Sequence, residues 1–202
     1  RQDAVMQQVF NIMNGLLACN KQTAGLLIRT YKIVPLSQRS GILEWVDNSM
    51  PIGDYLIGDG ESIEAAHTTF NPDDISPSRC RIEFKNAANL SHENKLRVYN
   101  NICKKFHPVF HKFFENSFVQ PAVWYERRRA YTYSVATASM CGYILGLGDR
   151  HVSNILIDKS TAEVIHIDFG IAFEQGLVLP TPESVPFRLT RDIEAGMGVS
   201  GI

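Results

Sequence analysis

The chain has 202 residues, 45% of them hydrophobic and 20% charged, which is the make-up of a globular domain able to bury a sizeable core and excludes a disordered tail. Its 20 basic and 21 acidic residues leave a formal net charge of -1, so no global field draws it to nucleic acid or to an anionic membrane, and any charged partner must be met locally. Cys19, Cys80, Cys103 and Cys141 form no CxxC pair, which argues against a zinc site or a disulfide framework and for reduced intracellular thiols.

No apolar run reaches the roughly 18 residues of a membrane span, and no signal-peptide pattern opens the sequence, so a soluble cytoplasmic or nuclear protein is expected. The first residues read as already inside a helix and the last follow a Gly-rich stretch, so the chain is read as a piece of a longer protein.

Over residues 2–17 the apolar side chains recur at three and four, from Val5 and Met6 to Leu16 and Leu17, which predicts a helix with one buried face and Asp3 in its first turn. Aliphatic and aromatic residues crowd 26–34 and 41–46, separated by the turn-forming 35–40, and predict two strands. Residues 58–94 are rich in Gly, Pro, Asp, Ser and Asn and predict a connecting region with little core. Helical patterns follow at 93–106, 108–117 and 121–141, a helical lobe. Beyond Gly142, a Gly-rich turn leads to Asn154, and the short apolar runs 155–157 and 164–167 predict a hairpin.

That hairpin joins GLGDRHVSN (146–154) to HIDFG (166–170). Phosphoryl transfer from ATP needs hard oxygen ligands that hold magnesium against the phosphates, and a polar group that aligns the acceptor hydroxyl. Asn154 enters the first strand and Asp168 leaves the second, so a hairpin brings two such oxygens to one end. Asp149, on a turn loosened by Gly146 and Gly148, is placed to accept a hydrogen bond from the attacking hydroxyl. His151 is placed to stabilise charge on the transferred group. Alone, each is an ordinary turn former or cap. Asp, His, Asn and DFG in this order across a hairpin favour the catalytic reading.

The order DRHxxN at Asp149, Arg150, His151 and Asn154 resembles the phosphatidylinositol 3-kinase-related family and its large protein kinases. RQDAVMQQVF (1–10), VPLSQRSGILEW (34–45), GYILGLGDRH (142–151) and LPTPESVPFRLTRD (179–192) are similar to its ATM-type DNA-damage checkpoint branch, weakest over 58–90. Phe169 stands where many animal members carry Leu, and the apolar character beside the metal acid is kept.

The resemblance implies an α+β, two-lobed protein-kinase-like fold, with a partial small lobe over 1–46 ending at the hinge and a mostly helical large lobe over 47–202. The glycine-rich loop over the phosphates and the ATP-contacting lysine are expected upstream of Arg1. The resemblance makes Glu44, Trp45 and Val46 the hinge, with backbone groups of Glu44 and Val46 on the adenine edge and Trp45 over its face; a plain strand end with a buried Trp is the other reading. Asp3 and Tyr31 match residues at the inner end of the nucleotide pocket, and Leu156 and Ile167 match its floor. On residues alone, Asp3 is as easily a helix N-terminal charge and the two aliphatics plain core.

Arg127, Arg128 and Arg129 are read as a solvated helix face rather than a nucleic-acid contact, and Arg150 as a maker of structural ion pairs. A lipid kinase must hold a polyanionic head group with Lys or Arg near its activation segment. Between Gly170 and Phe187 the only charged residues are Glu174 and Glu183, so a protein Ser or Thr is the expected acceptor rather than phosphatidylinositol. A catalytically silent scaffold is disfavoured by the intact Asp149, Asn154 and Asp168. The resemblance further implies ATP with Mg2+ (Mn2+ possible), Ser/Thr-Gln acceptor sites, DNA-break sensor proteins as partners, nuclear double-strand-break signalling and a homodimer in the full-length protein. No direct nucleic-acid or membrane contact is expected from this segment.

Overall fold

The computed structural model describes residues 2–38, 40–173, 175–178 and 185–199. Glu174, Glu183 and the LPTPES part of the fourth quoted motif lie outside the described residues, as do Arg1 and Arg39.

Helix α1 (Gln2–Ala18) forms where the periodicity places it and buries Ala4, Met6, Gln7 and Phe10. Its apolar residues do not share one buried face, because Val5, Ile12 and Leu16 are exposed. The two expected strands shrink to β1 (Ile33–Pro35) and β2 (Gly41–Leu43), an antiparallel pair with Val34 opposite Ile42. Within 26–32, which stays out of the sheet, side chains of α1 occupy the backbone of Ile28 and Tyr31. Asn14 accepts from Ile28 N–H and donates to Ile28 C=O, both at 2.8 Å, and Gln7 accepts from Tyr31 N–H at 3.2 Å. Backbone groups satisfied in this way need no partner strand.

Strand β3 (Ser49–Pro51) leads directly into α2 (Ile52–Ile57). The polar stretch holds two complete helices, α3 (Ala66–Phe70) and α4 (Pro77–Asn86), and the start of α5 (His92–Cys103), correcting the expectation of a plain connection. The expectation of little core there is met in α4, which buries no residue. Ser76 caps α4 by accepting from Arg79 N–H, with Pro77 at the first helical position. Helices α6 (His111–Ser117) and α7 (Pro121–Ile144) follow, then the hairpin of β4 (Ile155–Asp158) and β5 (Val164–His166), and finally α8 (Arg191–Met197). Among the described residues, no helix is long and apolar enough to cross a membrane.

Strands β3, β4 and β5 form an antiparallel sheet in that order, with Met50 opposite Ile157 and Leu156 opposite Ile165. Alternation along the hairpin splits its side chains between two cores. Ile155, Ile157 and Val164 face the larger one, built on Phe110, Phe113, Phe114 and Tyr131. Leu156 and Ile165 face the smaller one, with Met6, Phe10, Tyr31, Leu147 and Phe169. A hairpin buried on both sides cannot slip in register, so the polar residues at its open end are fixed in place.

Helix α8 locks the large core. Its Asp192 accepts N–H bonds from Val109 and Phe110 and pairs with His67 at 3.1 Å, and Arg191 donates to the carbonyls of Phe106 and Cys103. Gly196 lies against two rings: an added Cβ would sit 2.7 Å from Phe110 Cδ1 and 3.0 Å from Tyr131 Cε1. Gly196→Ala is therefore expected to destabilise the domain by about 1–3 kcal/mol through overpacking, read as a lowered thermal midpoint.

Candidate active site

The end of α7 delivers the chain into the loop that carries Asp149 and His151. Leu147 N–H bonds Gly142 C=O at 2.8 Å, and Gly146 takes a positive φ of 58°, which turns the chain sharply. The loop is then stitched to the segment after β5: Gly148 N–H donates to Ile171 C=O at 3.0 Å, and Phe173 N–H to Leu145 C=O at 2.9 Å. Asp149 and Asp168 both adopt φ 58°, in the left-handed region that aspartate tolerates better than most residues. Backbone strain at both carboxylates marks a place where the surrounding structure dictates the conformation.

Asn154 is buried, and its side chain is oriented by its amide nitrogen, which donates to Asp149 C=O at 3.0 Å. That leaves Oδ1 as the atom with which Asn154 can meet a cation. Its carbonyl accepts from Ile167 N–H at 3.0 Å, so the residue before Asp168 is hydrogen-bonded to Asn154 itself. Asp168 is exposed and turns Oδ1 towards Gly170 N–H at 3.3 Å. Asn154 is thus bonded directly to Asp149 and, through its carbonyl, to Ile167, the residue before Asp168. An amide and a carboxylate oxygen suit a hard divalent cation. Among the described residues there is no group of three or more His, Cys, Asp and Glu able to hold a metal by themselves, so phosphate and water oxygens would complete such a site. His151 lies on the same loop with its side chain exposed.

Arg150 does more than the sequence reading gave it. It is buried and donates to the carbonyls of Gly148, Ile167 and Asp168, with its guanidinium 5.5 Å from the Phe169 ring centroid. It joins the 146–154 loop to the segment 167–169. Phe169, 1% exposed, meets Phe10 edge-on at 5.2 Å and stacks with Tyr31 at 6.3 Å. Its peptide is clasped from α1: Asp3 Oδ1 accepts from Phe169 N–H at 2.7 Å and Gln2 donates to Phe169 C=O at 3.0 Å. Asp3 is therefore engaged with the backbone of the DFG segment. Burial, followed by the charge of Asp3, pushes the Tyr31 hydroxyl above its ordinary value. Gln2 was missed by sequence reasoning, and nothing in its local pattern singles it out.

Residues 44–46 lie just beyond β2. Trp45 is 84% exposed, which removes the reading of a buried strand-end Trp. Glu44 N–H is taken by Lys32 C=O at 2.8 Å and Val46 C=O by the Ser49 hydroxyl at 2.7 Å. Leu156 is buried in the smaller core, and Ile167 and Val46 pack against it partly buried. In the basic run, Arg129 is exposed, whereas Arg128 stacks 4.1 Å over the Trp124 ring and Arg127 is half-buried, so the solvated-face expectation holds for Arg129 alone.

Behind the site, His166 is half-buried and lines small cavities together with Ala138, Leu147 and Val164. Burial, and secondly the charge of Arg150, push its imidazole down to about 3 from the ordinary 6.5. The fold thus favours the neutral ring: its contribution to stability is complete above about pH 6.5 and is lost as pH falls towards about 3. The thermal midpoint of the domain should fall across that window, and His166→Gln should flatten the fall.

With the geometry in place, comparison with known proteins is decisive. The sequence pattern of the phosphatidylinositol 3- and 4-kinase family matches residues 1–202. The chain belongs to that family. Within the phosphatidylinositol 3- and 4-kinase family it is 57% identical over 204 residues to the serine-protein kinase ATM of Sus scrofa and 55% identical over 203 residues to the serine/threonine-protein kinase ATM of Drosophila melanogaster. Each match takes in 100% of this chain but 7% of the relative, so the chain spans a small part of those proteins. Among solved structures, the FAT and kinase domain of CtTel1 superposes with a TM-score of 0.89 at 46% identity, over 100% of this chain and 14% of that one. A Tel1 kinase butterfly symmetric dimer gives 0.84 at 45% identity, over 100% of this chain and 8% of that one. The α+β kinase fold expected from the sequence is borne out, and membership of this kinase family implies ATP and a divalent metal.

Proposed function

We propose that this chain is the greater part of the catalytic domain of an ATM-type serine/threonine protein kinase, which moves the γ-phosphoryl group of ATP to a protein hydroxyl. The observation that supports this most is the bonded set Asn154 to Asp149 and Ile167 to Asn154, which ties the loop of Asp149 to the strand ends that carry Asn154 and Asp168.

In this reading, residues 1–46 belong to the small lobe and 47–202 to the large one. Asn154 and Asp168 hold Mg2+, which when bound screens the phosphate charge. Asp149 accepts the hydroxyl proton of the acceptor and orients its oxygen, and His151 meets charge on the transferred group. The Glu44 carbonyl and Val46 N–H take the adenine edge, Trp45 covers its face, and Leu156 and Ile167 support it. Asp3 and Tyr31 shape the inner end of the pocket through Phe169.

Ser/Thr-Gln acceptor sites, DNA-break sensor partners, a nuclear double-strand-break checkpoint role and a dimeric whole protein are part of the same proposal. They are supported by the similarity to ATM and Tel1 kinases and by the dimeric Tel1 structure. The lipid alternative is disfavoured by the lack of any Lys or Arg from Gly170 to Phe187. The test is radiolabel transfer by the whole protein to a Ser-Gln peptide, to the same peptide with Gln replaced, and to phosphoinositide vesicles. Labelling of the first alone supports the proposal, and labelling of the lipid alone overturns it.

A further inference from the structure

Helix α1 holds the Phe169 peptide through Gln2 and Asp3 in its first turn, and its Phe10 packs on the Phe169 ring. Beyond Phe10 this 17-residue helix buries no residue, and Ile12 and Leu16 are exposed, so core packing does little to fasten its far half. The rest of the helix is fastened indirectly. Asn14 grips both backbone groups of Ile28, and the next residue, Arg29, reaches the opposite end of the β4–β5 hairpin.

There, Arg29 Nη1 donates to Glu163 Oε2 at 2.6 Å and to Thr161 Oγ1 at 3.3 Å, and Nη2 lies 3.4 Å from Asp158 Oδ2. The receiving turn is stiff. Asp158 Oδ1 accepts from Ser160 N–H, Ser160 hydroxyl and Thr161 N–H, and Asp158 N–H bonds Glu163 C=O. Side-chain exposures of 28% for Arg29, 9% for Asp158 and 25% for Glu163 put this trio partly out of water, where a forked guanidinium between two carboxylates counts for more than a surface pair. Burial raises the Asp158 carboxyl, but hydrogen bonds from Ser160 and Thr161, and then Arg29, hold it below its ordinary value, so it stays charged.

Hairpin and helix therefore make a closed frame. One corner is the bond of Asp3 to Phe169 beside Asp168, and the opposite corner is Arg29 on Glu163 and Asp158. We propose that Arg29, with Glu163 and Asp158, is a positioning residue for phosphoryl transfer: it sets the direction of α1 and thereby holds the Phe169 peptide, and Asp168 before it, in register with Asn154. This rests on the kinase reading above. It adds that residues at the far end of the hairpin, remote from any phosphate, govern turnover.

The test uses the whole protein carrying Arg29→Met, Glu163→Gln, or both, with kinetics on a Ser-Gln peptide and hydrogen exchange at the Phe169 amide. Expected are a kcat lowered about fivefold by Arg29→Met with the KM for peptide little changed, and faster exchange at Phe169. The double variant should be no worse than the stronger single one, because both changes open the same frame. Arg29→Lys, which keeps the charge but loses the fork, should recover part of the rate. Unchanged exchange at Phe169 in any folded variant, or losses that simply add in the double variant, would overturn the proposal. Should Arg29→Met not fold, Glu163→Gln, which keeps the side-chain size, decides the matter by the same exchange measurement. If the unsubstituted protein labels neither peptide nor lipid, the kinase reading fails, and the exchange result still judges the frame.

Discussion

Asp168→Asn in the whole protein is expected to reduce phosphoryl transfer by about 10³-fold or more, with the fold retained. Asparagine is the informative replacement because Asp168 sits at φ 58°, where alanine would add backbone strain of about 1 kcal/mol and blur the result. The change removes the charge and leaves the shape. Asp168 is exposed, and its neighbours are fixed through the backbone and ring of Phe169, so little of the core depends on its side chain. Asp149→Asn, at the same φ, should lower kcat by about 10²–10⁴-fold with an unchanged thermal midpoint. Radiolabel transfer and thermal unfolding, measured side by side, check both, and near-normal turnover in either would refute the site.

Phe110→Ala should produce the opposite pattern, with stability lost and chemistry kept. Phe110 is 0% exposed and its ring lies within 5.6–5.9 Å of those of Tyr55, Phe113, Phe114 and Tyr131. Removing it empties the centre of the larger core and should cost about 3–5 kcal/mol of domain stability. Denaturant unfolding of the domain should shift accordingly, while turnover per folded molecule stays near the unsubstituted value, because no residue of the site packs on this ring.

The sequence made the site legible because its chemistry is local. Asp149, Asn154 and Asp168 flank the open end of one hairpin, and two short apolar runs separated by a turn specify a hairpin. Helix α7 was equally legible over 121–141, since Pro121 marks its start and no Gly or Pro interrupts the run that follows. The stretch 26–32 misled because an aliphatic run looks the same whether its backbone is satisfied by a strand or, as here, by the side chains of Asn14 and Gln7. Strand β3 was invisible, since Ser49, Met50 and Pro51 show no alternation and pair only because β4 presents an edge. Helix α4 lacks a buried face, so periodicity could not find it, although Ser76 before Pro77 was a start signal that could have been read. The clasp of Gln2 on Phe169 depends on a contact between residues 167 positions apart, and no window along the chain contains both.

The seating of Phe169 bears on how small molecules could block this enzyme. Its ring is wedged between Phe10 and Tyr31, under the Arg150 guanidinium, and both polar groups of its peptide are held by α1. An inhibitor that needs this phenyl group to swing outward must break all of those contacts at once, whereas one that lies flat beside Trp45 disturbs none of them. If the proposed nucleotide site is right, compounds of the second kind should dominate any screen, with their selectivity coming from the residues around Trp45.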